Sequence, residues 1–199
     1  MYYTEFDLIP KESYQVIYAD PPWPYKDKMA GHSLGAAFQY QLQPMQWIKD
    51  LQVQSIAARD STLFMWVPSP LLVDGLEVMK AWGFKFKTVA FVWSKVTKHG
   101  LDVANMGRWT MGNVEIVLLG TRGKPQREVK NVRQLVRAER TVHSHKPDVV
   151  RERIVTLMGD VPRIELFCRG QVEGWDAFGN QPDWTEYGDN NRGEGQATS

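Results

Sequence analysis

A chain of 199 residues, 43% hydrophobic and 24% charged, has ordinary globular usage and room for one domain with a full core. Its one cysteine, Cys168, excludes an intrachain disulfide, and its four scattered histidines argue against a Cys/His zinc site; with no apolar run near the roughly 18 residues of a membrane span and no signal peptide, the expected compartment is cytoplasmic. The formal net charge of +1 hides fifteen Lys/Arg against six Asp/Glu over residues 85–153, between two acidic flanks, which suits a polyanion if the loops there face one cleft.

Residues 1–13 read as an irregular lead-in with a turn at Asp7-Leu8-Ile9-Pro10. The apolar run 14–19 is a short buried strand that ends in Asp20-Pro21-Pro22-Trp23. Prolines fix φ and cannot donate ladder hydrogen bonds, so the chain is rigid here and leaves the sheet at once. That turn holds one carboxylate and several carbonyls at a strand's C-terminal end, where open α/β sheets bind their ligands. The plainer reading of Trp23 is a core plug. Residues 24–40 have no usable periodicity and the length of a lid or binding loop. A helix is expected over 44–57, then a strand buried on both faces over 61–67, closed by Pro68. Leu72, Leu76, Met79 and Trp82 form the apolar stripe of a helix capped by Gly83, with a strand to follow over 84–93.

A second long loop, 94–113, carries Lys95, Lys98, His99, Gly107, Arg108 and Trp109. Strands are expected over 114–121 and, shorter, 134–140; Val150, Ile154, Leu157 and Met158 then stripe a helix that starts after Lys146-Pro147-Asp148. The last strands are 163–167 and 175–178. Buried strands alternating with amphipathic helices predict an α/β fold with a mostly parallel central sheet flanked by helices. One domain over 1–181 precedes a flexible tail, 182–199, rich in Gly, Asn and Asp. In such a sheet both long loops leave strand C-terminal ends and rim one cleft. Lys26, Lys28, Lys95, Lys98 and Arg108 would grip phosphates there, and the basic segment 122–140 would extend the same surface.

Three separated stretches carry more than composition: Asp20-Pro21-Pro22-Trp23, Ser144-His145-Lys146-Pro147, and Glu165-Leu166-Phe167-Cys168-Arg169 with Gly179-Asn180-Gln181. In this order and spacing they resemble the DPPW-type S-adenosylmethionine-dependent adenine-N6 methyltransferases. That family includes the catalytic subunit of the eukaryotic messenger-RNA adenosine methyltransferase and many bacterial and phage enzymes. The similarity runs from about Tyr14 to Asn180. It implies a Rossmann-like methyltransferase fold with the catalytic motif ahead of the cofactor motif, S-adenosyl-L-methionine as cofactor, no metal, and N6-methyladenine as product. Nucleic acid is the implied partner, DNA favoured over RNA.

The exocyclic amine of adenine is a poor nucleophile, because its lone pair is delocalised into the ring. A carboxylate and a carbonyl accepting its two N–H groups turn that lone pair towards an electrophilic methyl. The resemblance assigns these roles to Asp20 and the Pro21 carbonyl, with Pro22 stiffening the turn and Trp23 stacking on a base taken out of its strand. It assigns Asp7, Leu8, Asp20, Lys146, Phe167, Arg169, Asn180 and Gln181 to the cofactor. Tyr40 and Glu115 fall to the acceptor adenine, beside the phosphate-facing Lys95, Lys98 and Arg108. Taken singly, Lys146 reads as solvated, Phe167 as core and Glu115 as an edge charge. Gly170-Gln171-Val172 depart from the family pattern. Without an appended recognition module, sequence specificity is expected to be low or to come from a partner, in a homo- or heterodimer. The alternatives are a catalytically silent nucleic-acid-binding or scaffold subunit, and a small-molecule methyltransferase.

Overall fold

Side chains of the strand Tyr14–Ala19 alternate between two cores, Ile17 and Ala19 on one face and Val16 and Tyr18 on the other. This is the period-two signature of a strand buried on both sides. In the computed structural model the elements run β1 (Tyr2–Tyr3), β2 (Tyr14–Ala19), α1 (Met45–Asp50), α2 (Val53–Ile56), β3 (Ala57–Val67), α3 (Leu72–Ala81), β4 (Lys85–Val96), β5 (Val114–Arg122), β6 (Leu135–Glu139), α4 (Asp148–Met158), β7 (Arg163–Leu166) and β8 (Asp176–Phe178). The structure describes residues 1–24, 44–104, 106, 109–140, 145–168 and 170–180. The expected tail and the interior of the first long loop lie outside them. No helix among the described residues is long and apolar enough to cross a membrane.

The strands form one sheet in the order β1-β8-β7-β2-β3-β5-β4-β6. Only β5 runs against its neighbours; the remaining pairs are parallel, so the sheet is mixed but mostly parallel. Helices α1, α2 and α3 cover one face through Ile48, Val53, Ile56, Val78 and Met79. The other face receives α4, through Val150, Ile154 and Met158, over a floor rich in aromatics: Tyr18, Phe64, Trp66, Phe91 and Trp93. From β2 the chain passes to β3 across the first face, and it returns by α4 across the second to β7 on the other side of β2. The β2/β7 boundary is therefore the topological switch point, where open α/β sheets have their ligand crevice, at the strands' C-terminal ends.

Three differences from expectation have physical causes. The helix expected over 44–57 is two helices, broken at Leu51 and Gln52, whose backbones leave the helical region. Ile48 and Val53 are five residues apart, about 140° around a continuous helix; the break lets both enter the same core. Strand β5 is antiparallel because no helix among the described residues lies between β4 and β5 to carry a parallel crossover. Finally, β4 runs on to Val96, so Lys95 belongs to a strand rather than to the second loop.

Candidate active site

Asp20 follows the last residue of β2, at the switch point, and its backbone N–H donates to the Leu166 carbonyl of β7 at 3.3 Å. The two prolines turn the chain sharply, and the Trp23 N–H donates to the Pro21 carbonyl at 2.8 Å. That bond fixes the carbonyl's direction, and a carbonyl's second lone pair can accept from a ligand. Trp23 does not stand ready as a stacking platform. It is 6% exposed, packs in the core below α1, and donates its indole N–H to the Trp66 carbonyl at 2.9 Å. The core-plug reading holds, because the turn folds the indole back over β3, where its N–H finds an acceptor.

A chain of four alternating charges crosses the rim of this crevice. Lys146 Nζ lies 2.9 Å from Asp20 Oδ2 and 3.3 Å from Glu115 Oε2; Lys95 Nζ is 2.5 Å from Glu115 Oε1. Register explains the second half. Trp93 of β4 faces Glu115 of β5, so Lys95, two residues along β4, stands diagonal to Glu115 on the same face. Both ammonium groups sit over aromatic rings of the floor, Lys146 over Trp66 at 5.4 Å and Lys95 over Trp93 at 5.1 Å. Such placement attracts a cation to the ring's negative face. Lys146 enters just ahead of α4, where the helix dipole disfavours a cation, so its two carboxylate partners hold it there. Burial pushes Lys146 down, but Asp20 and Glu115 together raise it above its ordinary value. Burial likewise pushes Glu115 up, and Lys146 with Lys95 brings it below the usual carboxylate range. Both groups are charged at neutral pH.

The β7 side of the crevice is built differently. Phe167, directly after β7, has φ of 64°, a left-handed conformation costly for a bulky residue and concentrated at functional sites. Its ring is stacked with Trp82 at 6.4 Å and meets Phe178 edge-on at 6.0 Å; Phe178 in turn meets Phe6 at 5.4 Å. This row links the 3-10 turn Phe6–Leu8 to the end of β7, so the exposed Asp7 and Leu8 reach the same end of the sheet. A Cβ on Gly179 would lie 2.0 Å from the Cys168 carbonyl, so only glycine lets β8 close on this segment; exposed Asn180 follows it. Cys168 itself is buried, its thiol pushed by burial up to about 12, and is chemically quiet.

Asp20, Pro21, Lys146 and Glu115 are thus brought together, with Phe167 and Asn180 on the adjoining β7/β8 ends. Tyr40, Arg108, Arg169 and Gln181, like Lys26, Lys28 and Ser144, lie outside the described residues. Lys95 is not a phosphate-facing side chain: it is 15% exposed and committed to Glu115. Lys98 is exposed in a turn pinned by Thr97, whose hydroxyl accepts the N–H groups of His99 and Leu101. The basic segment 122–140 does not form one surface. Arg122 ends β5 at the far end of the sheet and donates to the Gln54 carbonyl, whereas Arg137 on β6 pairs with Asp102 at 3.1 Å. Trp109, a landmark six residues before Glu115 that was given no role of its own, is 98% exposed, and Met106 and Met111 near it in sequence are exposed too. Its place directly after Arg108 was the available signal.

The MT-A70 family profile matches residues 14–181, from β2 through both sides of the crevice. The type II methyltransferase M.MunI of a Mycoplasma species is 38% identical over 192 residues, covering 87% of this chain and 80% of M.MunI. Human METTL3, an N(6)-adenosine-methyltransferase catalytic subunit, is 26% identical over 186 residues, 91% of this chain but 30% of METTL3. An N(6)-adenosine-methyltransferase MT-A70-like protein of Arabidopsis thaliana is 25% identical over 173 residues, 85% of this chain and 24% of its own length. The chain spans less than a third of these two eukaryotic relatives. With a match that spans the switch-point crevice and nearly all of the sheet, the chain belongs to the MT-A70 family of methyltransferases.

Proposed function

We propose that this protein transfers a methyl group from S-adenosyl-L-methionine to the exocyclic amine of adenine in nucleic acid, preferentially DNA. One observation carries the reading: a carboxylate and an ammonium, Asp20 and Lys146, held 2.9 Å apart at the switch-point crevice. The amino-acid end of S-adenosylmethionine is a zwitterion, and this donor set complements it, Lys146 for the carboxylate and Asp20 for the ammonium. Phe167 and Asn180 would flank the nucleoside end. The bound cofactor supplies an electrophilic methyl on a sulfonium. The chain's own part is orientation: Asp20 and the Pro21 carbonyl accept the amine's N–H groups, and Glu115, from the β5 side, holds the base. Trp109, not Trp23, supplies the exposed aromatic surface for stacking.

The names of the relatives support N6 of adenosine as the acceptor. The preference for DNA rests on the match over most of a bacterial type II methyltransferase. The test is incubation with labelled S-adenosylmethionine and single-stranded DNA, duplex DNA, RNA or free adenosine, followed by digestion to nucleosides. Label in N6-methyladenine from DNA is expected. Label only in free adenosine would make it a small-molecule enzyme, and no label would favour a silent subunit.

A further inference from the structure

We propose that Lys95 is a positioning residue of the methyl-transfer site, acting through Glu115 to keep Lys146 on Asp20. The inference rests on the function proposed above and extends it to a residue outside the reacting groups. Glu115 has two oxygens and two cations: Oε1 meets Lys95 at 2.5 Å and Oε2 meets Lys146 at 3.3 Å. Lys146 in turn divides its charge between Glu115 and Asp20, and the Asp20 contact, at 2.9 Å, is the shorter. Lys95 therefore satisfies half of Glu115 and limits its pull on Lys146. Without Lys95, both oxygens of a largely buried carboxylate compete for one ammonium, and Lys146 is drawn from the catalytic carboxylate towards β5.

The backbone makes this a built arrangement. Lys95 pairs with both neighbours of β4: its N–H donates to the Asn113 carbonyl at 3.0 Å, and it lies opposite Ala138 of β6. Its ammonium lies over Trp93, whose indole N–H is itself fixed to the Ala138 carbonyl at 3.0 Å. Side chain and strand are held on three sides, and among the described residues the one ionic partner is Glu115. Among the described residues, the charged groups facing Glu115 are Lys95 from β4 and Lys146 from the segment before α4, with Asp20 beyond Lys146.

The test measures steady-state methylation of an adenine-containing oligonucleotide against pH, for wild type, Lys95→Gln and Lys95→Arg, with S-adenosylmethionine affinity and oligonucleotide affinity against salt measured alongside. In Lys95→Gln, kcat should fall at least tenfold with the oligonucleotide KM and salt slope unchanged. The acid limb of the pH profile should move up by about one unit, as expected when a carboxylate loses an adjacent cation. Lys95→Arg should restore both. A second route covers poor folding of the glutamine variant. Lys95→Cys can be alkylated with 2-bromoethylamine to rebuild the ammonium, since Cys168 is buried and unreactive; activity should return on alkylation. A wild-type pH profile and kcat in Lys95→Gln, or no recovery on alkylation, would overturn the role of Lys95. So would a loss confined to oligonucleotide affinity with a shallower salt slope, the mark of a phosphate contact. Absence of methyl transfer by the wild type would instead overturn the proposed function, and this inference with it.

Discussion

Lys146 draws its position from charge. It lies at the approach to α4 with its side chain 15% exposed, and the two carboxylates beside it make that burial tolerable. In the function proposed above, the pair it forms with Asp20 is the preorganised counterpart of a zwitterionic ligand. Lys146→Ala should therefore weaken S-adenosylmethionine binding ten- to hundredfold, about 1.5–3 kcal/mol for a lost charge-assisted hydrogen bond, as read by calorimetry. Wild-type titration in that variant would mean that the cofactor binds elsewhere. The same chain of charges sets a pH window. Glu115 is held below its ordinary 4.5, so its contribution to stability is present above that pH and is lost as pH falls further. Lys146 is raised above 10.5, so its contribution is present below that value and is lost as pH rises beyond it. Through these two groups, urea midpoints should fall on the acid side of the lower limit and on the alkaline side of the upper one; in Glu115→Gln the acid-side loss should be smaller. An unchanged acid limb in that variant would remove Glu115 from the network.

At the level of elements, α4 is fastened to the sheet by more than apolar packing. The Arg151 guanidinium makes two 3.0 Å hydrogen bonds to the Glu165 carboxylate of β7, and also meets Asp148. Both Arg151 and Glu165 are 12% exposed. Arg151 offsets the burial that pushes the Glu165 carboxyl up to about 7, and without it that carboxyl is left buried and without its partner, so Arg151→Ala should cost about 3–5 kcal/mol of unfolding free energy. A loss under about 1 kcal/mol in urea unfolding would show the pair to be solvated in solution. Since β7 delivers Phe167, cofactor affinity should fall with it. Much of this level was legible beforehand. The strand 14–19 and the helix stripe ending at Met158 follow from periodicity, which depends only on which faces are buried. The break at Leu51 and the reversal of β5 were not, because they depend on which core each side chain must reach and on how strands are joined. Even so, 94–113 held no helical stripe, and that absence was a readable sign of an antiparallel pair. The site divides in the same way. Asp20, Lys146 and Glu115 could be named from motif order, and a core plug was already the plainer reading of Trp23; that Lys95 ties Glu115 could not, since that fact lives in cross-strand register.

On the scale of the whole molecule, the basic middle third splits between internal and external duties. Lys95, Lys146 and Arg151 hold carboxylates, while Arg122 and Arg153 cap backbone carbonyls. The segment between β4 and β5 keeps exposed Lys98 and the exposed apolar side chains of Met106, Trp109 and Met111. Two kinds of contact are then separable. Lys98→Ala should reduce the log–log salt slope of oligonucleotide binding by about 0.7 on single strands, or 0.9 on duplex, per phosphate lost. Trp109→Ala should weaken binding by about 1–3 kcal/mol while leaving the slope unchanged, as expected for a stacked base. Flat salt dependence in the wild type would leave this segment without a polymer.

The most direct measurement is the single-turnover rate of N6-methyladenine formation in wild type and Asp20→Ala, each saturated with S-adenosylmethionine and checked for folding by thermal melt. If Asp20 orients the amine, the variant should stay folded and transfer at well under a tenth of the wild-type rate. A folded variant that keeps more than that tenth would leave Asp20 contributing less than about 1.4 kcal/mol, too little for a catalytic carboxylate, and would contradict the assignment of chemistry to the β2 switch point.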